Sequence, residues 1–263
     1  MIKTLVAIEV DLASSFAIRY ACQLGSLIQM EIHPIYVKFP SPDWPITGVG
    51  WARQTWEREV VNMGKEEIKE VLASETESCP ILQEPRVIYG ERETELLNIM
   101  EQEPFDLYIE GAPYPFSAAT MYRRLHAKFY QRLACPLIWL RGVRKINCVA
   151  AVCPDPDGAP VLVEALGRLF AGSTVPLQLH YPANGGESPD MQAVTRKAVA
   201  DLKIQNCQVS LGSAFPSGTG GPPVELVKDC GLVVMSLEKT VRKDSLELAW
   251  LSQLSVPLML VLR

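Results

Sequence analysis

Short continuous apolar runs alternate along the chain with longer segments in which apolar residues recur every three or four positions. The first pattern is typical of buried strands, and the second of helices with one buried face. Strands are predicted at residues 5–9, 32–37, 87–90, 106–111, 136–140, 148–153, 175–181, 208–212, 231–236 and 257–262. Helices are predicted at residues 16–28, 51–74, 91–102, 117–134, 159–170, 190–202, 224–229 and 244–254. This alternation predicts an α/β fold with parallel strands and helices on both faces of the sheet.

The order of these elements repeats once along the chain. The strand–helix–strand unit at residues 106–140 recurs in a shorter form at residues 231–262, and two earlier strands also have counterparts. Repetition on this scale predicts duplication of a whole domain. We therefore predict two domains, residues 1–142 and residues 146–263, each containing a five-stranded open parallel sheet.

Two local signals refine the first half. Pro34 lies inside the second predicted strand, which indicates an irregular start or an edge-like position because proline cannot donate a ladder hydrogen bond. Ser117 is a suitable N-cap for one helix that runs to Ala134.

Composition and charge exclude several classes of function. The 263 residues carry a formal net charge of −5, which offers no basic footprint for nucleic acid. No apolar run approaches the roughly 18 residues of a membrane span, and the N-terminus lacks the layout of a signal peptide. These features predict a cytoplasmic protein that binds neither nucleic acid nor membrane.

The seven cysteines are scattered and include no C-x-x-C pair. This spacing predicts neither a disulfide framework nor a zinc knuckle, and favours buried thiols. Cys153 and His180 are expected at the carboxyl ends of neighbouring strands, where they could form a metal or thiol site. Two ligands without a third favour a core role for both residues instead.

Catalytic motifs are missing from the sequence. It contains no G-x-S-x-G elbow, no H-E-x-x-H and no Walker sequence, and His33 and His126 have no acid or nucleophile at a meaningful spacing. We therefore predict that the protein is not an enzyme.

The chain carries one ordered set of features: a first strand that ends at Glu9, the helix positions Ala17 and Ala21, the Tyr89-Gly90 pair, the strand at 106–111 and the closing strand at 134–138. In this order and spacing they resemble the universal stress protein family in its tandem form, over essentially the whole chain. The resemblance implies two sheets of order 3-2-1-4-5, of the adenine nucleotide alpha hydrolase-like type. It also implies that strands 136–140 and 257–262 meet within one chain as an internal pseudo-dimer, and it leaves a further homodimer open.

ATP-binding members of the family carry an acidic residue after the first strand and a G-x-x-G…G-S/T pattern after the fourth. In the first half Glu9 and Gly111 fit this pattern, but Tyr114 and Arg124 replace later positions of it. In the second half Cys153 replaces the acid, and the segment 236–239 offers no phosphate cradle. The resemblance therefore implies a stress-associated regulatory or small-ligand-sensing protein that has lost the ATP motif in both halves.

A ligand cleft is still expected at the first switch point, where strands 1 and 4 diverge. Its candidate residues are Glu9, Val37, Gly111, Tyr114 and Trp44. The aromatic rim suits a small apolar or planar ligand, or a protein partner, with no cofactor. The same aromatics could instead fill the vacated cavity as core.

The alternative function is adenine-nucleotide binding, with ATP or another adenine nucleotide held in a changed mode by Glu9, Val37 and Gly111. Weak nucleotide hydrolysis is the least favoured hypothesis, because no phosphate cradle or catalytic base is visible. A cluster of basic residues could meet an anionic ligand or an acidic partner, but a solvated helix face is the simpler interpretation. The cluster comprises Arg123, Arg124, Lys128, Arg132, Arg141, Arg144 and Lys145.

Overall fold

The structure of the protein is a computed structural model that describes residues 1–39, 50–76, 79, 81–112, 117–183 and 190–263. These described ranges contain ten strands, each close to a predicted position. They are β1 (Ile2–Ile8), β2 (Met30–Lys38), β3 (Arg86–Tyr89), β4 (Leu107–Gly111), β5 (Leu137–Leu140), β6 (Val149–Val152), β7 (Leu177–Pro182), β8 (Val209–Phe215), β9 (Leu232–Leu237) and β10 (Leu258–Leu262).

The helices occupy the segments between the strands. They are α1 (Leu12–Gly25), α2 (Trp51–Thr76), α3 (Arg92–Gln102), α4 (Ala118–Leu125), α5 (Lys128–Arg132), α6 (Gly158–Phe170), α7 (Met191–Ile204), α8 (Val224–Val227) and α9 (Leu246–Gln253). Five helices begin at a side chain that accepts a hydrogen bond from the first turn, as an N-cap requires: Asp11, Glu91, Ser117, Asp190 and Ser245. Within the described ranges, no helix combines the length and the apolar character needed to cross a membrane.

The strands form one ten-stranded sheet of order β3-β2-β1-β4-β5-β10-β9-β6-β7-β8. Each half therefore has the predicted order 3-2-1-4-5. β5 and β10 pair antiparallel, with Ile138 opposite Met259, whereas the pairs within each half are parallel. The predicted meeting of the two closing strands is confirmed, and it merges the two five-stranded sheets into one.

Each face of the sheet is covered by its own set of helices, because side chains of successive strand residues point to opposite faces. One hydrophobic cluster joins the sheet to α1, α2, α6 and α7. The other joins it to α3, α4, α5, α8 and α9. The carboxyl ends of β1 and β4 meet at one edge of the sheet, and those of β6 and β9 meet at the matching edge of the second half.

The predicted single helix 117–134 is wrong, because the backbone breaks at its middle. Ala127 is extended (φ −68°, ψ 148°), and the Ala127 N–H turns back to the carbonyl of Arg124. The break lets α5 run as a separate short helix and places Phe129 and Tyr130 in the core.

The edge-like position predicted from Pro34 is also wrong, since β2 lies between β1 and β3. Ile32, two residues earlier, donates its N–H to Ile81, so the nitrogen of Pro34 faces the same neighbouring segment. That segment is irregular until β3 begins at Arg86, opposite Ile35. Pro34 has no N–H to donate, and it therefore lies at a position where the hydrogen-bond ladder between β2 and the segment before β3 is interrupted.

The prediction of unpaired cysteines is wrong for two of the seven. Cys22 of α1 and Cys79, beyond the end of α2, form a disulfide across 57 residues of sequence. No spacing signature marks such a pair, since it depends on how the crossover from β2 to β3 packs on α1. The other five cysteines are free.

Candidate ligand sites at the carboxyl edge of the sheet

Three of the five predicted cleft residues lie at the first switch point. Val37 is buried in β2 beside β1, and Gly111 ends β4. Glu9 follows β1, and its side chain is 53% exposed. Trp44 and Tyr114 lie outside the described residues, so their place in a cleft stays a prediction.

Gly111 is needed for packing between a strand and a helix. A Cβ atom at this position would overlap the backbone carbonyl of Ala13 in the first turn of α1. The φ angle of Gly111 is not in the left-handed region, so glycine is needed here because a side chain would not fit, not because of the backbone conformation. This close approach explains the glycine without a bound phosphate.

Replacing this glycine should be costly. We expect Gly111→Ala to lower the free energy of unfolding by about 2 kcal/mol, because the rigid backbone of α1 has to move. Gly142→Ala is the matched control, since a Cβ there meets nothing within 4 Å. Urea unfolding of both variants tests this expectation, and equal midpoints would show that α1 accommodates the methyl group at no cost.

A buried carboxylate, Glu110, lies one residue before Gly111 and is 1% exposed. Its Oε2 accepts from Arg92 Nη2 at 3.2 Å, and its Oε1 accepts from Arg124 Nη2 at 2.9 Å. Arg92 also reaches Glu9, with 2.9 Å between Nε and Oε1. The two guanidinium groups are 27% and 29% exposed, so this ion cluster extends from the core to the rim of the first switch point.

Aromatic donors complete the shell of Glu110. The Tyr108 hydroxyl donates to Oε2 at 2.9 Å, and the Trp139 indole N–H donates to Oε1 at 2.6 Å. The Tyr130 hydroxyl also donates to Oε1. A buried charge is tolerated when it is paired and fully hydrogen-bonded, and Glu110 meets both conditions.

The local charges set the ionisation of the cluster. Burial raises the pKa of Glu110, but Arg124 and Arg92 together with the tyrosine hydrogen bonds outweigh it and leave the pKa lowered. Burial, reinforced by the Glu110 charge, raises the pKa of both Tyr108 and Tyr130. Glu110 is therefore ionised and both phenols are neutral at ordinary pH.

The buried acids of the core should make the protein sensitive to alkali. Burial raises the pKa of Cys153 to about 11 and of Cys135 to about 12, and it raises the pKa of further thiols and phenols. The other groups are Cys207, Cys230, Tyr20, Tyr36, Tyr108 and Tyr130. Because these groups ionise at lower pH in the unfolded chain than in the folded protein, their contribution to the free energy of unfolding falls as the pH rises. The contribution of the thiols is complete below about pH 8.5 and is lost above it, and that of the phenols is complete below about pH 10 and is lost above it.

We expect the urea midpoint to fall between about pH 8 and about pH 11, as the unfolded-state thiols and phenols ionise. Cys153→Ala should reduce this pH dependence, because it removes one such group. An unchanged midpoint across this range would contradict the assigned burial of these groups.

The sequence carries a signal for the ion cluster at Glu110. Glu110 interrupts an otherwise apolar buried strand, and a buried acid calls for a cationic partner. The solvated helix face predicted for the basic residues is wrong for Arg124. Arg123 and Lys128 are exposed as expected, but Arg124 turns inward to Glu110.

The second half lacks this ion cluster. In the strand register, Met235 of β9 takes the position of Glu110, and Leu260 of β10 takes that of Trp139. Both replacements are fully buried and apolar. The fold therefore does not require the ion cluster, which is a specific feature of the first switch point.

At the second switch point the structure has a cleft of about 670 Å³. It is bounded by the residues after β6, the end of β9, the first turn of α9 and Arg263. Its lining residues are Pro154, Asp155, Ser236, Leu237, Glu238, Thr240, Val241, Arg242, Asp244, Ser245, Leu246, Glu247 and Arg263. Open parallel sheets bind ligands at a switch point, beside the carboxyl ends of the strands.

The lining of this second-half cleft is polar and weakly acidic. Four acids and two arginines among the lining residues give a formal charge of −2. Arg263 is neutralised by Asp155, at 2.7 Å, and approaches Glu238 at 3.5 Å. Such a cleft suits a neutral or cationic polar molecule better than a free phosphate.

Cys153 and His180 do not form a joint site. The N–H of Cys153 donates to the carbonyl of His180 at 2.9 Å, so their strands are adjacent as predicted. Cys153 belongs to the core under α6, whereas Nδ1 of His180 accepts from Ser213 N. Within the described residues, no three His, Cys, Asp or Glu side chains are placed to hold a metal ion.

Comparison with known proteins supports the fold. No protein-family model and no curated protein sequence matches the chain. A universal stress protein from Archaeoglobus fulgidus DSM 4304 aligns with a TM-score of 0.65 at 14% identity, over 99% of this chain and 96% of that chain. A functionally unknown protein from Pseudomonas aeruginosa PAO1 aligns with a TM-score of 0.56 at 13% identity, over 99% and 92%. The sequence-based resemblance is therefore confirmed at the level of the two-domain fold.

Proposed function

We propose that the protein is a small-ligand-sensing member of the universal stress protein family, and that it binds its ligand in the second-half cleft. The observation that carries this proposal is the position of that cleft at the β6–β9 switch point, where this class of sheet binds ligands. The fold shared with a universal stress protein supports the stress-associated part of the proposal.

The first switch point is less suited to a nucleotide. Glu9, the acidic position of the ATP pattern, is paired with Arg92, and the charges of Arg92 and Arg124 are directed at Glu110. Gly111 is packed on α1. ATP binding through Glu9, Val37 and Gly111 would compete with the Glu9–Arg92 pair, and it stays the alternative function.

Thr240→Trp should block the second-half cleft. Thr240 is exposed on the cleft wall, so a larger side chain fills the space while the core stays intact. Gln253→Trp is the matched control, because Gln253 is exposed at the end of α9 and does not line the cleft. We expect Thr240→Trp to weaken ligand binding by about tenfold or more and the control to leave it unchanged.

The measurement is a thermal shift of each variant with adenosine, spermidine and ATP–Mg²⁺, beside native mass spectrometry of any ligand that copurifies. A ligand raises the melting temperature only of those variants that keep its binding site. Binding that survives Thr240→Trp would place the ligand elsewhere and refute the proposed site.

A further inference from the structure

Two free cysteines of the second half lie against each other. Cys148 precedes β6 and Cys230 precedes β9, and their Sγ atoms are 2.9 Å apart. A disulfide bond needs a separation of about 2.05 Å, so only a small shift divides the pair from a bond. The backbones are already joined here, because the N–H of Gly231 donates to the carbonyl of Cys148 at 3.0 Å.

The surroundings of this pair connect the two halves of the chain. Tyr20 of α1 donates its hydroxyl to the carbonyl of Gly231 at 2.9 Å. Asn147, in the segment that links the halves, donates to the carbonyl of Asp229 at 3.1 Å. A covalent bond at this point would tie the start of β6 to the loop before β9, at the junction of the two halves.

We propose that Cys148 and Cys230 are a site of reversible oxidation. Low-molecular-weight disulfides of the glutathione type oxidise this pair to a disulfide, the second in the chain beside Cys22–Cys79. The two thiols differ in access, since Cys148 is partly exposed and Cys230 is 5% exposed. Burial also raises the pKa of the Cys230 thiol to about 12. Cys148 is therefore the thiol that reacts first.

The reaction consists of two exchanges. The Cys148 sulfur attacks one sulfur of oxidised glutathione, and a mixed disulfide forms as one glutathione leaves with the Cys148 proton. The Cys230 sulfur then attacks the Cys148 sulfur, and the second glutathione leaves with the Cys230 proton. Two protein thiols are oxidised and one glutathione disulfide is reduced to two thiols.

The test is peptide mapping of the full-length native protein after equilibration with oxidised glutathione. Trypsin releases Cys230 in peptide 229–239, and Cys148 together with Cys153 in peptide 146–168. We expect these two peptides to be cross-linked, with a loss of two hydrogen masses that dithiothreitol reverses. The Cys153→Ser variant should keep the cross-link, which assigns the bond to Cys148.

Two further variants complete the test. Cys230→Ser should abolish the cross-link and leave Cys148 as its mixed disulfide with glutathione. In the wild type, oxidation should raise the urea midpoint, and Cys148→Ser should remove that shift. The proposal is overturned if peptide 229–239 keeps a free thiol under oxidising conditions in which Cys22 and Cys79 stay bonded, a result that needs no variant to fold.

Discussion

Glu110→Ala should lower the free energy of unfolding by about 3–5 kcal/mol, the usual cost of removing one member of a buried ion pair. The variant leaves Arg92 and Arg124 without their shared carboxylate, and the Tyr108, Tyr130 and Trp139 donors without an acceptor. Each unsatisfied buried group adds its own desolvation cost. The measurement is the urea midpoint and slope at neutral pH.

Two further variants show whether the loss comes from the charge. Glu110→Gln keeps one acceptor oxygen and should lose less stability than Glu110→Ala. Glu67→Ala is the control. The Glu67 carboxylate also accepts hydrogen bonds from a lysine and a tyrosine, Lys38 and Tyr36, but it is 34% exposed. We expect the control to cost about 1 kcal/mol or less, and equal losses at Glu67 and Glu110 would show that burial of the ion cluster has no special role.

Met259→Asp should be at least as damaging, because it buries an uncompensated charge in the middle of the ten-stranded sheet. Met259 is fully buried on β10 and lies opposite Ile138 of β5 in the pairing that joins the halves. We expect a loss of about 4 kcal/mol or more and a broadened unfolding transition, as the two halves cease to unfold together.

The control for this variant is Val143→Asp, in the exposed link between β5 and β6. It should change stability by about 0.5 kcal/mol or less, as most surface substitutions do. A single sharp transition for Met259→Asp with a near-native midpoint would contradict a role for the β5–β10 pair in joining the halves.

The sequence predicted the fold well because its main features are local. Apolar runs mark the strands, side-chain caps mark helix starts such as Ser117, and repetition marks the duplication. What it missed depends on contacts between distant residues. The helix break at Ala127 and the Cys22–Cys79 bond follow from packing that no local pattern encodes.

The candidate site was predicted less well, for the same reason. Glu9, Val37 and Gly111 lie where the pattern placed them, at the first switch point. The partners of Glu9 and Glu110 are arginines on α3 and α4. The spacing of residues along the chain does not show that these side chains point inward. The second-half cleft is built from three separate stretches of sequence, 154–155, 236–247 and Arg263, so no short motif predicts it.

The central claim is that the ligand binds at the second switch point and not at the first, where Glu9, Arg92 and Arg124 are held in the ion cluster. Calorimetric titration of the wild type, Glu9→Ala and Thr240→Trp, with the ligand that gives the largest thermal shift, tests it most directly. We predict one ligand per chain, unchanged by Glu9→Ala and lost in Thr240→Trp. Binding that is lost in Glu9→Ala and kept in Thr240→Trp would contradict the claim and favour the first switch point.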